Sequence, residues 1–175
     1  MIEQEIVSPH SSQMLANLVY QGASNNCGPY SAVTVINTLK KYDLNPQAVA
    51  LEMNKPNWRF IFPVFRRIPN SATFPWGMVN IFHQYGIKAN WKCFTSFNTL
   101  ITKLSKGKIL LPIIASFHPL WAHIMILIAY HPQKGCGFAN TQIQDHSIYW
   151  LSTRQFRHYW RNALNCLIEI NYSEA

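Results

Sequence analysis

The stretch Gln21-Gly-Ala-Ser-Asn-Asn-Cys27-Gly28-Pro29-Tyr30 is where side-chain types and spacing first suggest chemistry. The apolar positions Tyr30, Val33, Ile36 and Leu39 recur every three residues and predict a helix over 26–41, with Asn26 as its cap and Cys27 and Gly28 in its first turn. Unpaired backbone N–H groups and the positive end of the helix dipole favour a thiolate there, and the thiolate is the nucleophilic form of cysteine. Gln21 can bring its side-chain N–H beside the Cys27 backbone N–H, giving two donors for the oxyanion of a tetrahedral intermediate. The competing reading is that Cys27 is a small buried hydrophobe, the commonest fate of a free cysteine.

A cysteine nucleophile needs a base, and of the seven histidines His123 is the best placed. It opens the run Trp121-Ala-His-Ile-Met-Ile-Leu-Ile-Ala-Tyr130, predicted to be a buried strand facing the Cys27 helix. A third group should accept from the far ring nitrogen and fix the tautomer. The turn His131-Pro-Gln-Lys-Gly135 predicts a return strand over 136–140 that brings Asn140 back near His123. Asp145 is the rival, five residues further along. For each of these polar residues a satisfied core histidine or an ordinary turn cap is the plainer alternative.

The elements that must position this set are helices over 46–53, 75–85 and 97–106, a strand over 87–94, and continuous apolar runs at Ile109–Phe117 and Ala122–Tyr130 that suit doubly buried strands. A short strand at 148–151, a helix from Ser152 to Trp160 and a strand over 165–171 follow. Residues 1–20 read as a lead-in, and 55–74 as an irregular, Arg- and aromatic-rich surface excursion. Helices first and an antiparallel sheet after them give an α+β class, and one domain over 1–175.

In order and spacing, from about Gln21 to Ile170, the chain resembles the bacteriocin-processing, double-glycine leader peptidases among the papain-like cysteine proteases. The resemblance is carried by Gln21-x5-Cys27-Gly28-Pro29, Trp121-Ala-His123, the hairpin to Asn140, and Leu151-Ser-Thr-x-x-Phe156-x-x-x-Trp160. It implies a papain-like fold: an N-terminal helical part with Cys27 at a helix N-terminus, and a C-terminal sheet carrying His123. It further implies a cysteine peptidase, a hydrolase acting through an acyl-enzyme on Cys27, with His123 as base and Gln21 in the oxyanion hole. Cleavage would follow small residues, glycine first. Trp121 and Trp76 are candidate substrate contacts, and no cofactor or metal is implied. This chain departs from the family pattern in having Asn140-Thr141 where Asp-Pro is usual, and Asn26 where the residue before the cysteine is commonly acidic. Two other functions fit the same residues: acyl transfer to an amine or thiol, and a peptide-binding pseudo-peptidase.

Composition bounds the rest. The 175 residues are 49% hydrophobic and 13% charged, which excludes a disordered chain. Four cysteines without a CxxC pair exclude a zinc ribbon and make a disulfide framework improbable. The apolar runs are shorter than the roughly 20 residues of a membrane span, and the first ten residues lack a signal's apolar region, so a cytoplasmic location is expected. The net charge of +8 suits an acidic peptide substrate. Basic clusters stand at Arg154, Arg157 and Arg161, at Arg59, Arg66 and Arg67, and at Lys103, Lys106 and Lys108. They read first as solvated faces, and no nucleic-acid-binding motif accompanies them.

Overall fold

Capping chemistry starts three of the helices where the sequence offers it. A computed structural model describes residues 4–59 and 61–171, without the Arg59 side chain. Asn45 accepts from the N–H groups of Gln47 and Ala48, with Pro46 in the first turn, and opens α3 (Pro46–Asn54). Ser96 accepts from Thr99 N–H at the head of α5 (Phe97–Ser105). Ser152 and Gln155 form a reciprocal capping box on α6 (Thr153–Asn162). The helices α1 (Ser11–Ala16), α2 (Cys27–Lys40) and α4 (Pro75–Gln84) complete the six among the described residues.

The strands are β1 (Ile6–Val7), β2 (Asn57–Arg59), β3 (Phe62–Val64), β4 (Ala89–Lys92), β5 (Ile109–Phe117), β6 (Leu120–Ile124), β7 (Ile126–His131), β8 (Gly135–Ala139), β9 (Tyr149–Leu151) and β10 (Leu167–Ile170). Eight of them form an antiparallel sheet in the order β4-β10-β5-β7-β8-β9, with β1 on β7 and β6 on β5. The apolar run 122–130 is two strands rather than one: β6 pairs with the outer half of β5, and beyond Met125 the chain continues as β7, bonded to β8.

Alternation along the strands splits the core between the two faces of the sheet. Ile109, Leu111, Ile168 and Ile170 pack with residues of α1–α4, whereas Leu110 and Leu167 pack with α5 and α6. Cover on both faces is why β5 and β7 read as unbroken hydrophobic runs. On the α6 side Phe156 and Trp160 are fully buried and stacked at 5.3 Å between centroids, and the Trp160 indole N–H donates to the Cys166 carbonyl at 2.8 Å.

The α+β class and the antiparallel sheet stand, with a mixed order along the chain. The sheet draws β1 and β4 from the first half, because the lead-in is structural: Ile6 and Val7 pair with Tyr130 and Ala129, and Met14 and Leu18 are buried. The 55–74 segment also differs from a surface excursion. It holds the β2–β3 hairpin, and its Arg66 and Arg67 are 4% and 2% exposed. Arg66 is buried with both Nη atoms paired, Nη1 with Glu52, Asn80 and Gln84 and Nη2 with the Glu52 and Lys55 carbonyls, and with Nε left without a partner. Among the described residues no helix is long and apolar enough to cross a membrane.

Phe156→Ala empties the centre of the α6-side core and is expected to cost about 3–5 kcal/mol of unfolding free energy in urea denaturation.

Candidate active site

Cys27 is the first residue of α2, and its thiol rests on backbone N–H groups of Gly28 and of Ile124 in β6. The two elements are joined again one helical turn on, where the Ser31 hydroxyl donates to the Ile124 carbonyl at 3.2 Å. His123 directly precedes Ile124, so the packing of α2 on β6 sets the histidine one residue along the strand from the backbone group that acts on the Cys27 thiol. Both are nearly buried, at 8% and 7% exposure.

The second ring nitrogen of His123 is accounted for. Nε2 lies 2.8 Å from Asn140 Oδ1, and the same oxygen accepts from the Gln142 backbone N–H at 3.1 Å. An atom that accepts from a backbone N–H is the carbonyl end of the amide, so the imidazole must be the donor at Nε2. In the neutral ring that leaves Nδ1 with its lone pair, and Nδ1 is the basic atom. Asn140 follows directly on β8, whose Ala139 pairs with Ile126 of β7. Asp145, the rival, is exposed and accepts from the Ser147 N–H at 3.0 Å; the Ser147 hydroxyl, and after it this N–H, hold its carboxyl below the usual range. The structure therefore brings Asn140 to His123 and leaves Asp145 in the loop.

Gln21 is 6% exposed and tied at three points. Its backbone N–H donates to the Thr141 carbonyl at 2.8 Å, its Oε1 accepts from the Thr141 hydroxyl at 2.5 Å, and its Nε2 donates to the Ser24 carbonyl at 2.6 Å. One Nε2 hydrogen remains for a further acceptor. Sequence reasoning missed Thr141, whose only signal was its place next to Asn140.

Asn26 does not cap α2; its side-chain oxygen accepts instead from Arg67 Nη2 at 2.7 Å. Arg67 was also missed as a site neighbour. The segment carrying it is clamped to the first turn of α2. Asn25 donates to the Asn70 carbonyl at 3.1 Å, and Thr73 packs so closely on Gly28 that a Cβ there would meet its hydroxyl at 2.4 Å.

Burial dominates the protonation of both central groups. It pushes the Cys27 thiol above its ordinary value, against the opposing pull of the Ile124 and Gly28 N–H groups and the Arg67 charge. It lowers the His123 imidazole, and the bond to Asn140 only partly offsets this. The helix terminus thus favours the thiolate as its position suggests, but desolvation outweighs it. Both shifts favour the uncharged forms, a thiol at Cys27 and a neutral imidazole at His123.

A groove of about 350 Å³ lies over His123 and Asn140, walled by Asn25, Ile114, Trp121 and Tyr149. Trp76 lines a different cavity of about 440 Å³ with Arg66 and Trp91. Among the described residues no three of His, Cys, Asp or Glu gather as metal ligands would. Arg154, Arg157 and Arg161 are exposed along α6, and Lys103 is ion-paired with Glu169.

The structure thus holds a cysteine at a helix N-terminus, and a histidine on the antiparallel sheet with an amide at its Nε2. By comparison with known proteins, the chain belongs to the Peptidase_C39 like family, whose model matches residues 7–166. Its fold is similar to the crystal structure of a proposed C39-like peptidase from Bacillus anthracis, with a TM-score of 0.74 at 12% identity over 98% of this chain and 100% of that one. No curated protein matches the sequence.

The lowered His123 value carries a stability consequence. Its pKa in the fold lies below the unfolded value near 6.5, so its contribution is present above that value and is lost as pH falls towards the folded one. The unfolding free-energy gap between wild type and His123→Ala should narrow from about pH 7.5 to about pH 5.5 in urea titrations. A constant gap would contradict the buried neutral imidazole.

Proposed function

We propose that the chain acts as a single peptidase domain that cleaves a peptide bond after small residues, glycine first, through an acyl-enzyme on Cys27. The observation that carries this reading is the shared acceptor Asn140 Oδ1, which leaves His123 Nδ1 basic on the strand that the Cys27 thiol touches.

Because the resting pair is neutral, proton transfer accompanies attack rather than preceding it. The Cys27 S–H proton passes to His123 Nδ1 as the sulfur bonds to the scissile carbonyl carbon. The oxyanion is met by the remaining Gln21 Nε2 hydrogen and the Cys27 N–H, one of the unpaired donors of the first helical turn. Collapse of the intermediate breaks the C–N bond, and His123 returns its proton to the departing amine. Water, deprotonated by His123, then releases the acid and restores the thiol. Asn140 holds the imidazolium through one hydrogen bond and no charge, so the intermediate state is short-lived.

The groove beside Trp121 is the proposed place for the residues before the scissile bond, and the small-residue preference follows from the family resemblance. The net charge of +8 favours acidic peptides.

The test is turnover of peptides carrying Gly-Gly before the scissile bond. Cys27→Ala should abolish cleavage with the fold intact by circular dichroism. Gln21→Ala should lower kcat by roughly 10²-fold, in the range of a lost oxyanion donor. Asn140→Ala should reduce activity far more than Asp145→Ala. Equal effects at 140 and 145, or cleavage surviving in Cys27→Ala, would overturn the assignment. Product carrying an added amine in place of water would indicate acyl transfer.

A further inference from the structure

Arg67 is a buried charge that the peptidase chemistry above does not use. Its side chain is 2% exposed, and only Nη2 is satisfied, by Asn26 Oδ1 at 2.7 Å. Nε and Nη1 are buried with no hydrogen-bond partner. The ion pairs among the described residues are Arg66–Glu52 and Lys103–Glu169, so no carboxylate meets it there. A guanidinium does not shed its proton at any ordinary pH, and a buried cation without a counter-charge is strongly unfavourable. The ionisable group whose charge it senses is Cys27.

Its position is built rather than incidental. Arg67 bridges to Thr73 across the turn, Thr73 packs on Gly28, and Asn70 accepts from Asn25. These contacts hold the guanidinium on Asn26, immediately before Cys27, and its segment against Gly28, immediately after.

We propose that Arg67 is the counter-cation of the Cys27 thiolate. The inference rests on the peptidase reading only in taking the thiolate as the reacting species. When the S–H bond breaks, the proton goes to His123 Nδ1, the electron pair stays on sulfur, and Arg67 supplies the opposite charge without exchanging a proton. The groups that act on the sulfur are the Ile124 N–H from β6, the N–H groups of Gly28 and of Cys27 itself from α2, and Arg67 from the 66–74 segment. Arg67 is the fixed charge among them. A permanent cation stabilises the anion and disfavours a lasting imidazolium, so it compensates for a neutral Asn140 on the sulfur side and hastens passage of the proton to the leaving amine.

The test is site-resolved alkylation of Cys27 by iodoacetamide across pH, in wild type, Arg67→Met and Arg67→Lys. Arg67→Met should move the midpoint up by about one pH unit and slow Cys27 labelling at neutral pH about tenfold. Arg67→Lys should restore most of both. A purely structural role would change melting or KM and leave the midpoint in place, so a folded Arg67→Met with the wild-type profile overturns the proposal. Should Arg67→Met fail to fold, the Arg67 Nε–H resonance of the wild type gives the answer. It should titrate with Cys27 and lose that titration in Cys27→Ala; an identical titration in both overturns the pairing. A wild type that shows this coupling yet cleaves no peptide would sink the peptidase reading and leave the ion pair standing. Cleavage with an Arg67-independent profile would do the reverse.

Discussion

An imidazole buried to 7% exposure must have its N–H satisfied, and much of the site follows from how that is done. The Asn140 oxygen takes the His123 N–H and the Gln142 N–H together, which fixes the tautomer and the direction of the remaining lone pair. It can do so because the β7–β8 hairpin returns the chain to the level of β6. The next residue, Thr141, binds Gln21 through both backbone and side chain. Three consecutive residues after β8 therefore hold His123 on one side and Gln21 on the other. Any shift in the hairpin register would misplace both at once.

Desolvation sets the character of the chemistry. Burial raises the thiol and lowers the imidazole, so both groups rest uncharged. In the proposed mechanism such a site keeps Cys27 masked until a substrate carbonyl is present to receive it. In the proposed mechanism the backbone N–H groups at the sulfur and the buried Arg67 guanidinium act mainly on the charged state, which arises only during reaction. The environment is thereby complementary to the reacting species more than to the resting one.

Parts of this were legible in the residues themselves. A cysteine at a helix start, a histidine on an apolar strand and an asparagine after a Pro-Gly-punctuated turn are local signals, and the structure bonds the last two at 2.8 Å and sets the cysteine at the head of the helix that packs on the histidine's strand. The long-range partners were not legible. Arg66 and Arg67 looked like a solvated basic cluster, and their burial depends on Glu52, Asn80 and Asn26, which lie far along the chain. The stripe Tyr30, Val33, Ile36, Leu39 marked a helix but not its depth, and α2 is buried all round from Cys27 to Leu39. Its polar residues conceal this, because Thr34 and Thr38 donate to the carbonyls four residues back and Ser31 donates to β6. The lead-in lacked periodicity because β1 is only two residues long. Local patterns report helices and strands well, and report poorly on polar groups whose partners are contributed by distant segments.

The central claim is that Cys27 is nucleophilic because His123 takes its proton, and site-resolved labelling with a peptide-borne thiol electrophile tests it most directly. Cys93 is the built-in control, being more exposed than Cys27 and without a histidine partner in the site. At neutral pH Cys27 should label faster than Cys93 despite its burial, and His123→Ala should slow Cys27 by about 10²-fold or more while leaving Cys93 unchanged. Faster labelling of Cys93 in the wild type, or a Cys27 rate indifferent to His123, would contradict the account.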